Sequence, residues 1–206
     1  MKKFTLLTVM LMAVITASAQ QEVGTLTLTP RVGVASSNVS QQQYLIPQGS
    51  QNSKRVANFV AGADVAYQLH RVISLSGGVF YSGEGYKFPE TDGLKLRHNL
   101  YFVNVPLLAN FYVAPGLAVK TGVQPAWLIA ARETIHVNHR TNRQDLNAYK
   151  TFNLSIPVGI SYELGHVSLD LRYNIGLLNI NDIRAISDSY RTSSLWLTLG
   201  YGIQLF

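Results

Sequence analysis

The chain has 206 residues, of which 47% are hydrophobic and only 14% are charged, and it contains no cysteine. About 25% charged residues is usual for a globular protein, so the chain carries too little charge for intrinsic disorder. The missing cysteine excludes disulfide scaffolds, thiolate zinc sites, cysteine nucleophiles and an acylated N-terminal cysteine. The formal charge of +6 is spread along the chain and forms no dense basic stripe, which argues against a nucleic-acid partner.

The N-terminus has the order of a secretory signal peptide. Lys2 and Lys3 precede an apolar run over residues 4–15, and small residues follow at 17–19. The alternative is a membrane anchor helix, but the run is shorter than the roughly 20 residues that a span needs. We predict that residues 1–19 are cleaved and that the mature chain is exported. Removing Lys2 and Lys3 from the 17 basic residues leaves 15 against 11 acidic ones, a charge of +4.

After the signal peptide, apolar residues recur at every second position, which is the period of a β-strand. In the second such segment Phe59, Val65 and Tyr67 share one phase, while Asp64 and Gln68 take the other. Eight segments alternate in this way, over residues 26–34, 59–69, 73–81, 101–113, 117–129, 152–164, 167–177 and 195–205. Each approaches or exceeds the roughly 9–11 residues of a tilted membrane strand, so the pattern predicts eight strands.

The connections between these predicted strands alternate in length. Three of them are short and contain turn residues, near His70-Arg71, Ala114-Pro115-Gly116 and Gly165-His166. The other four are long and polar, over residues 37–56, 83–98, 133–150 and 179–193. Outer-membrane barrels have short periplasmic turns and long extracellular loops. The alternation predicts an all-β fold, an eight-stranded antiparallel up-and-down transmembrane β-barrel over residues 20–206. Its even strand count places both termini at the short-turn end, in the periplasm.

The placement of charge decides which face of the barrel is outside. A soluble lipocalin-like barrel would show the same alternation, but it needs a densely charged outer face. The apolar phase of the eight segments carries no Asp, Glu, Lys or Arg, and the opposite phase carries seven charges. These are Arg31, Asp64, Lys120, Arg132, Glu163, Asp170 and Arg172. So few charges suit a narrow lumen lined by small and paired residues better than a solvated surface.

Six of these residues are predicted to form a polar network inside the lumen: Arg31, Asp64, Lys120, Glu163, Asp170 and Arg172. Glu163 and Arg172 face inward on adjacent strands joined by a tight turn, with Asp170 beside them. Such a network satisfies buried charges, which cost several kcal/mol when one partner is missing. The alternative is a gate or a polar pathway for small solutes.

Aromatic residues on the apolar phase sort into two predicted girdles. Tyr101 and Phe111 are ten residues apart, about 25 Å along the membrane normal at a tilt near 40°. The long-loop girdle consists of Phe59, Tyr81, Tyr101, Trp127, Phe152 and Tyr173, and the short-turn girdle of Tyr67, Phe111, Tyr162 and Tyr201. A soluble core has no reason to sort its aromatic residues in this way, so the girdles favour a membrane barrel over a soluble one.

Several stretches resemble the PorT-like outer-membrane β-barrel family of Bacteroidota. They include Tyr67-Gln68-Leu69, Val105-Pro106-Leu107-Leu108 and the terminal residues 199–206, and the resemblance covers nearly the whole mature chain. It implies the barrel fold and no catalytic residue. PorT itself is tied to a secretion machinery, and the resemblance to it is at the level of the family only.

The terminal Phe206 is predicted to be an assembly signal. Outer-membrane barrels commonly end in an aromatic residue that the barrel assembly machinery reads, usually in phase with the apolar residues. Here Tyr201, Ile203 and Leu205 form the apolar phase, and Phe206 falls one residue off. Either the strand ends before Phe206 and the ring turns back to the interface, or the signal is a variant.

The histidines of the sequence do not form a catalytic or metal-binding set that the spacing supports. His136 and His139 lie in the third long connection, where only Glu133 or Asp145 could complete a metal site, so solvated loop residues are favoured. His98 and His166 have nearby serines but fall at opposite ends of the predicted barrel. We therefore predict no catalytic, cofactor or metal site.

Three functions remain open at this point. The leading one is a non-enzymatic, monomeric outer-membrane barrel that presents four loops to an extracellular ligand or envelope protein, because loops are the surfaces free to bind. Its other partners are outer-membrane lipid and the barrel assembly machinery. The alternatives are a narrow porin-like pore and an enzyme that modifies envelope lipid.

Overall fold

The computed structural model describes residues 22–42, 54–87, 94–137, 140–145, 150–178 and 189–206. Within these ranges no helix has the length and apolarity needed to cross a membrane. The signal peptide predicted for residues 1–19 lies outside the described residues and stays a prediction.

Within the described ranges, eleven strand segments form one antiparallel sheet. They are β1 (Leu26–Gln42), β2 (Lys54–His70), β3 (Ile73–Lys87), β4 (Leu94–Asn104), β5 (Leu107–Ala114), β6 (Leu117–Val137), β7 (Arg140–Asp145), β8 (Phe152–Leu164), β9 (Val167–Gly176), β10 (Ser189–Tyr201) and β11 (Ile203–Gln204). β4 and β5 are the two halves of one barrel strand that is interrupted before Pro106, and β10 and β11 are likewise parted only by Gly202. β7 pairs with β6 alone.

The sheet closes on itself through β1. β1 pairs with β2 on one side and with β10 and β11 on the other, so that Arg31 lies opposite both Gly62 and Gly200. Around the barrel the order is β10, β9, β8, β6, β4 with β5, β3, β2 and β1. The predicted fold, a closed eight-stranded antiparallel barrel, is confirmed.

The three predicted tight turns are present. Residues 71–72, 115–116 and 165–166 join β2 to β3, β5 to β6 and β8 to β9. Gly116 and Gly165 have φ angles of 73° and 60°, a left-handed conformation that costs glycine little because it has no Cβ. These turns define the short-turn end of the barrel, where β1 also begins.

The long connections are shorter than the sequence predicts. Residues 37–42, 83–87, 94–98 and 133–137 were expected in loops, but the structure places them in β1, β3, β4 and β6. The expectation is wrong there because these segments do not continue the apolar phase that defined each strand. Residues 37–42 and 83–87 are mostly polar, Leu94 and Leu96 fall on the phase opposite to Tyr101, and Glu133 interrupts the phase of residues 117–129.

The apolar face of the barrel points outward. In β9 every second residue is exposed, including Leu169, Leu171 and Tyr173, while Asp170 and Arg172 between them are buried. Buried residues across the sheet are mostly Ser, Thr, Asn, Gln and charged side chains. This distribution is the reverse of that of a soluble barrel and suits a wall surrounded by lipid.

A β-bulge in β6 overturns one predicted orientation. Tyr101 lies opposite Ala130, but the next residue of β4, Phe102, lies opposite Leu128, so the register shifts between them. Past this bulge the phase of β6 is reversed. Ala131 is buried inside the barrel and Arg132 is exposed on the outer wall, whereas the sequence alternation predicted Arg132 in the lumen.

Candidate functional site

Charged residues meet inside the lumen in two groups, and Arg31 and Asp64 form the first. Nε of Arg31 on β1 donates to Oδ1 of Asp64 on β2, and its Nη1 donates to Oγ of Ser168 on β9 at 2.9 Å. Both members of the ion pair are buried, with 4% and 8% of their surface exposed. The pair therefore links three strands across the point where the barrel closes.

Asp170 is the centre of the second group. Its Oδ2 accepts a hydrogen bond of 2.8 Å from Nζ of Lys120, and its Oδ1 lies 3.2 Å from Nη2 of Arg172. Lys120 reaches from β6 to β9 because the residue between them on β8 is Gly159, which pairs with both Lys120 and Arg172. One carboxylate thus satisfies two buried cations.

Glu163 and Arg172 are on adjacent strands but do not lie opposite each other. Glu163 lies opposite Ser168 in the β8–β9 register, whereas Arg172 lies opposite Gly159, four residues further along β8. Arg172 bonds Asp170, its own neighbour on β9, because residues two apart on a strand share a face. Glu163 is half-buried and instead lines a cavity toward the short-turn end.

This cavity is small and polar. About 20 Å³ is available to the centre of a water molecule, which is room for one or two waters. Its lining combines both ion-pair groups with uncharged polar residues: Thr27, Thr29, Arg31, Asp64, Ala66, Ser76, Asn110, Tyr112, Lys120 and Glu163. The cavity suits hydration of the charged groups and is too small for an organic solute.

An aromatic plug, defined as Ala35, Val60, Phe80 and Trp196, fills the lumen beside the charged layer. All four are at most 1% exposed, and the rings of Phe80 and Trp196 lie 6.0 Å apart. The guanidinium carbon of Arg172 stands 5.9 Å from the centre of each ring, within range of a cation–π interaction. The plug and the ion pairs therefore form one packed layer.

Sequence reasoning missed this plug because it treated the inward phase as polar. The signal was present. Phe80 sits between Val79 and Tyr81, both on the outward phase, and Trp196 sits between Leu195 and Leu197. A large apolar residue between two outward-facing residues of a strand can only point inward.

Above the plug, toward the long-loop end, the lumen stays filled. The Asn104 side chain donates a hydrogen bond from Nδ2 to Ser82 Oγ at 2.9 Å, and its Oδ1 accepts one from Gln124 Nε2 at 3.1 Å. Glu84, which the sequence analysis assigned to a loop, is buried and accepts a hydrogen bond of 3.0 Å from Ser194 Oγ. A second apolar cluster contains Leu100, Phe102, Ala126 and Ala131. Within the described residues, packed layers follow each other along the lumen.

The ten predicted girdle residues all lie on the outward phase. Several of their rings stack on one another. The ring centres of Phe59 and Tyr81 are 5.4 Å apart, and those of Tyr81 and Tyr101 are 5.9 Å apart. Trp127 and Phe152 are 5.7 Å apart in an edge-on arrangement. Ladders of this kind on neighbouring strands stabilise a sheet. Their depth in the membrane stays a prediction.

Pairing continues to the last residue of the chain. Leu26 N donates to Phe206 O at 2.8 Å, and Leu205 N donates to Leu26 O at 2.8 Å. The last strand, β11, ends at Gln204, before Phe206, and these two hydrogen bonds continue the backbone pairing with β1 beyond it. The Phe206 residue is 73% exposed. Its role as an assembly signal stays a prediction.

Histidine and carboxylate groups give no further site where the structure describes them. In that part of the chain, no three His, Asp or Glu side chains are grouped so that they could hold a metal ion. His139 lies outside it. His98 lies in β4 toward the long-loop end, whereas His166 lies in the turn after β8, at the other end of the barrel.

Comparison with known proteins identifies the family. The model of the outer membrane protein beta-barrel domain matches residues 18–182. The chain belongs to this family. Its members are outer-membrane proteins, which agrees with the apolar outer wall and places the chain in the outer membrane. No curated protein sequence matches the chain significantly.

The chain is also similar to several solved structures. Ail, the attachment invasion locus protein of Yersinia pestis, is 12% identical with a TM-score of 0.50, over 88% of this chain and 100% of that one. OprG from Pseudomonas aeruginosa is 16% identical with a TM-score of 0.46, over 89% and 97% of the two chains. Neisserial surface protein A is 13% identical with a TM-score of 0.46, over 85% and 96%. At these identities the likeness to Ail supports the fold alone.

Proposed function

We propose that this protein is a non-enzymatic outer-membrane barrel with a structural or interaction role, and that it contacts its partner through the long-loop end. The packed lumen carries this proposal. Phe80 and Trp196 are in contact, Arg172 lies against both rings, and all three are at most 3% exposed, so the described side chains leave little room for a solute at this level of the lumen. A barrel of eight strands is narrow enough for side chains to fill it.

The extended strands support a role in binding. β3 continues six residues beyond Tyr81 to Lys87, and β4 begins at Leu94, seven residues before Tyr101. At roughly 3.3 Å per residue, these strands project about 15–20 Å past the aromatic ladder. β3 and β4 stay paired as far as Lys87 and Arg97, and paired strand ends lose less entropy when a partner binds to them.

The proposal includes the side of the membrane on which the termini lie and the group within the family to which the chain belongs. The termini lie in the periplasm, because the short turns share their end of the barrel and outer-membrane barrels have short periplasmic turns. The chain belongs to the PorT-like group within its family, on the sequence stretches named above. We propose that it is a monomer whose partner is an extracellular ligand or an envelope protein.

In-cell crosslinking tests the interaction role. A photoreactive residue at Arg55 or Asn99 reports on the long-loop end, and the same residue at Arg71 reports on the short-turn end. We expect protein adducts from the first two positions in intact cells. If neither position yields an adduct above the level obtained at Arg71, the interaction role is wrong.

Electrical recording tests the pore alternative. We expect the purified wild-type barrel to leave a planar bilayer silent, because the plug side chains are at most 1% exposed. Stable single-channel steps from the wild-type protein would favour the pore over the structural role. The enzyme alternative is tested separately: we expect the envelope lipids of a deletion strain to be unchanged.

A further inference from the structure

The outer wall carries a cation where the sequence pattern allowed none. The bulge in β6 turns Arg132 outward, and its guanidinium carbon stands 6.0 Å from the centre of the Tyr101 ring. Tyr101 is the last ring of an aromatic ladder that runs through Tyr81 to Phe59 on three adjacent strands. Arg132 therefore sits at the end of a row of rings that faces lipid.

Lys150 brings a second positive charge to the same side. The Thr151 carbonyl accepts a hydrogen bond of 2.7 Å from Leu128 N, and the register continued by one residue places Lys150 beside Ile129. Lys150 is exposed. Ile129 and Arg132 are three positions apart on β6, roughly 10 Å, which two long side chains can bridge around a shared ligand.

We propose that Arg132 and Lys150, with the Tyr101 hydroxyl, form a binding site for the phosphate of an anionic lipid headgroup. The guanidinium fork matches two phosphate oxygens with parallel N–H donors, and the ammonium group neutralises remaining charge. The aromatic ladder supplies an apolar wall for the acyl chains of the same lipid molecule. The site goes beyond the proposed interaction role, because it faces the membrane and not a partner at the loops.

The chemistry favours a lipid over a free anion. A site for a soluble anion is usually recessed, whereas this one lies on the outer wall where Trp127 and Ile129 are about half exposed. β7 brings Asp145 opposite Arg132 in the register. A guanidinium has five N–H donors, so Arg132 can keep a partner within the protein and still donate to a phosphate.

Native mass spectrometry of the full-length protein in a neutral detergent tests the site. Phosphatidylglycerol is titrated against the wild type, Arg132→Gln and Arg71→Gln, and phosphatidylcholine serves as the uncharged lipid. Arg71→Gln is the matched control, because it removes the same charge from the exposed short-turn end. A difference between boiled and unboiled gel migration verifies that each variant is folded.

We expect Arg132→Gln to weaken phosphatidylglycerol binding about ten-fold or more, as for a lost charge-assisted hydrogen bond, and to leave phosphatidylcholine binding unchanged. Arg71→Gln should bind both lipids like the wild type, and Arg132→Lys should fall between wild type and Arg132→Gln. Equal loss in Arg132→Gln and Arg71→Gln would overturn the site. Complete displacement of the lipid by excess sodium phosphate would show a free-anion site and overturn the assignment to lipid.

Discussion

Arg31 on β1 donates a hydrogen bond to Ser168 on β9, although β10 lies between these two strands. The residue of β10 at this level is Gly200, which pairs with Arg31 on one side and with Ser168 on the other. With no side chain on Gly200, Arg31 can pass over β10. A similar but diagonal arrangement occurs where Lys120, opposite Gly159 on β8, reaches Asp170 on β9, which itself lies opposite Ser161. Glycines in the lumen thus let long side chains connect strands that are not neighbours.

Gly200→Ala should disrupt the hydrogen bond that Arg31 makes to Ser168 across β10. An added Cβ would lie 2.7 Å from Thr29 Cγ2 and 2.9 Å from both Arg31 Cγ and Ser168 Oγ, so these side chains must shift and the arginine contact is disturbed. We expect the free energy of unfolding in lipid vesicles to fall by about 1–3 kcal/mol, as for an overpacked core. Gly77→Ala is the control, because the nearest atom to its added Cβ is the flexible Leu107 Cδ2 at 3.2 Å. Equal stability of the two variants would contradict the role of Gly200 in letting Arg31 reach Ser168 across β10.

Asp170→Asn should be strongly destabilising. The carboxylate is 1% exposed and contacts both Lys120 and Arg172, so its neutralisation leaves two buried cations with too little negative charge. We expect a loss of about 3–5 kcal/mol in denaturant unfolding, the usual result of breaking a buried ion pair. Adding Lys120→Met should recover part of that loss. If the double variant loses as much free energy of unfolding as the two single variants together, Asp170 and Lys120 are not energetically coupled.

The plug predicts a contrast between the two tryptophans. Trp196 is 1% exposed inside the barrel, whereas Trp127 is 43% exposed on the outer wall. Trp196→Ala should lower the free energy of unfolding by about 3–5 kcal/mol through the cavity it leaves. Trp127→Ala should cost less, about 0.5–1.5 kcal/mol, because its exposed ring loses mainly the edge-on contact with Phe152. The order of the two effects, measured by urea unfolding, is the test, and the reverse order would mean that Trp196 does not fill the lumen.

Because one face of β8 contacts lipid, the cost of placing a charge on that face should depend on its depth in the membrane. Val158 lies between Phe152 and Tyr162 on β8 and is 44% exposed, whereas Leu164 lies beyond Tyr162 at the short-turn end. Val158→Arg should cost about 2–4 kcal/mol and Leu164→Arg at most about 1 kcal/mol, because a charge is most costly at the membrane midplane. Equal costs in vesicles would place the midplane elsewhere on β8.

Alternation was sufficient to predict the barrel and its polarity, because a wall between lipid and lumen imposes a two-residue period on every strand. Arg31, Asp64, Lys120, Asp170 and Arg172 followed from that phase, and the structure finds all five buried inside. The phase did not reveal which of them pair. Partners across the lumen depend on the stagger between strands, and on glycines such as Gly159 and Gly200 that let a side chain pass.

By itself, the sequence determined the number of strands in the barrel wall, the tight turns and the face that meets lipid, since each follows from local periodicity and turn chemistry. Only the tertiary structure decided that Phe80 and Trp196 meet Arg172 in a closed lumen, and that Arg132 faces outward beside Tyr101. The first depends on side chains from three strands that are distant in the chain. The second depends on a single bulge, which shifts the register by one residue and reverses the phase that alternation assumes to be constant.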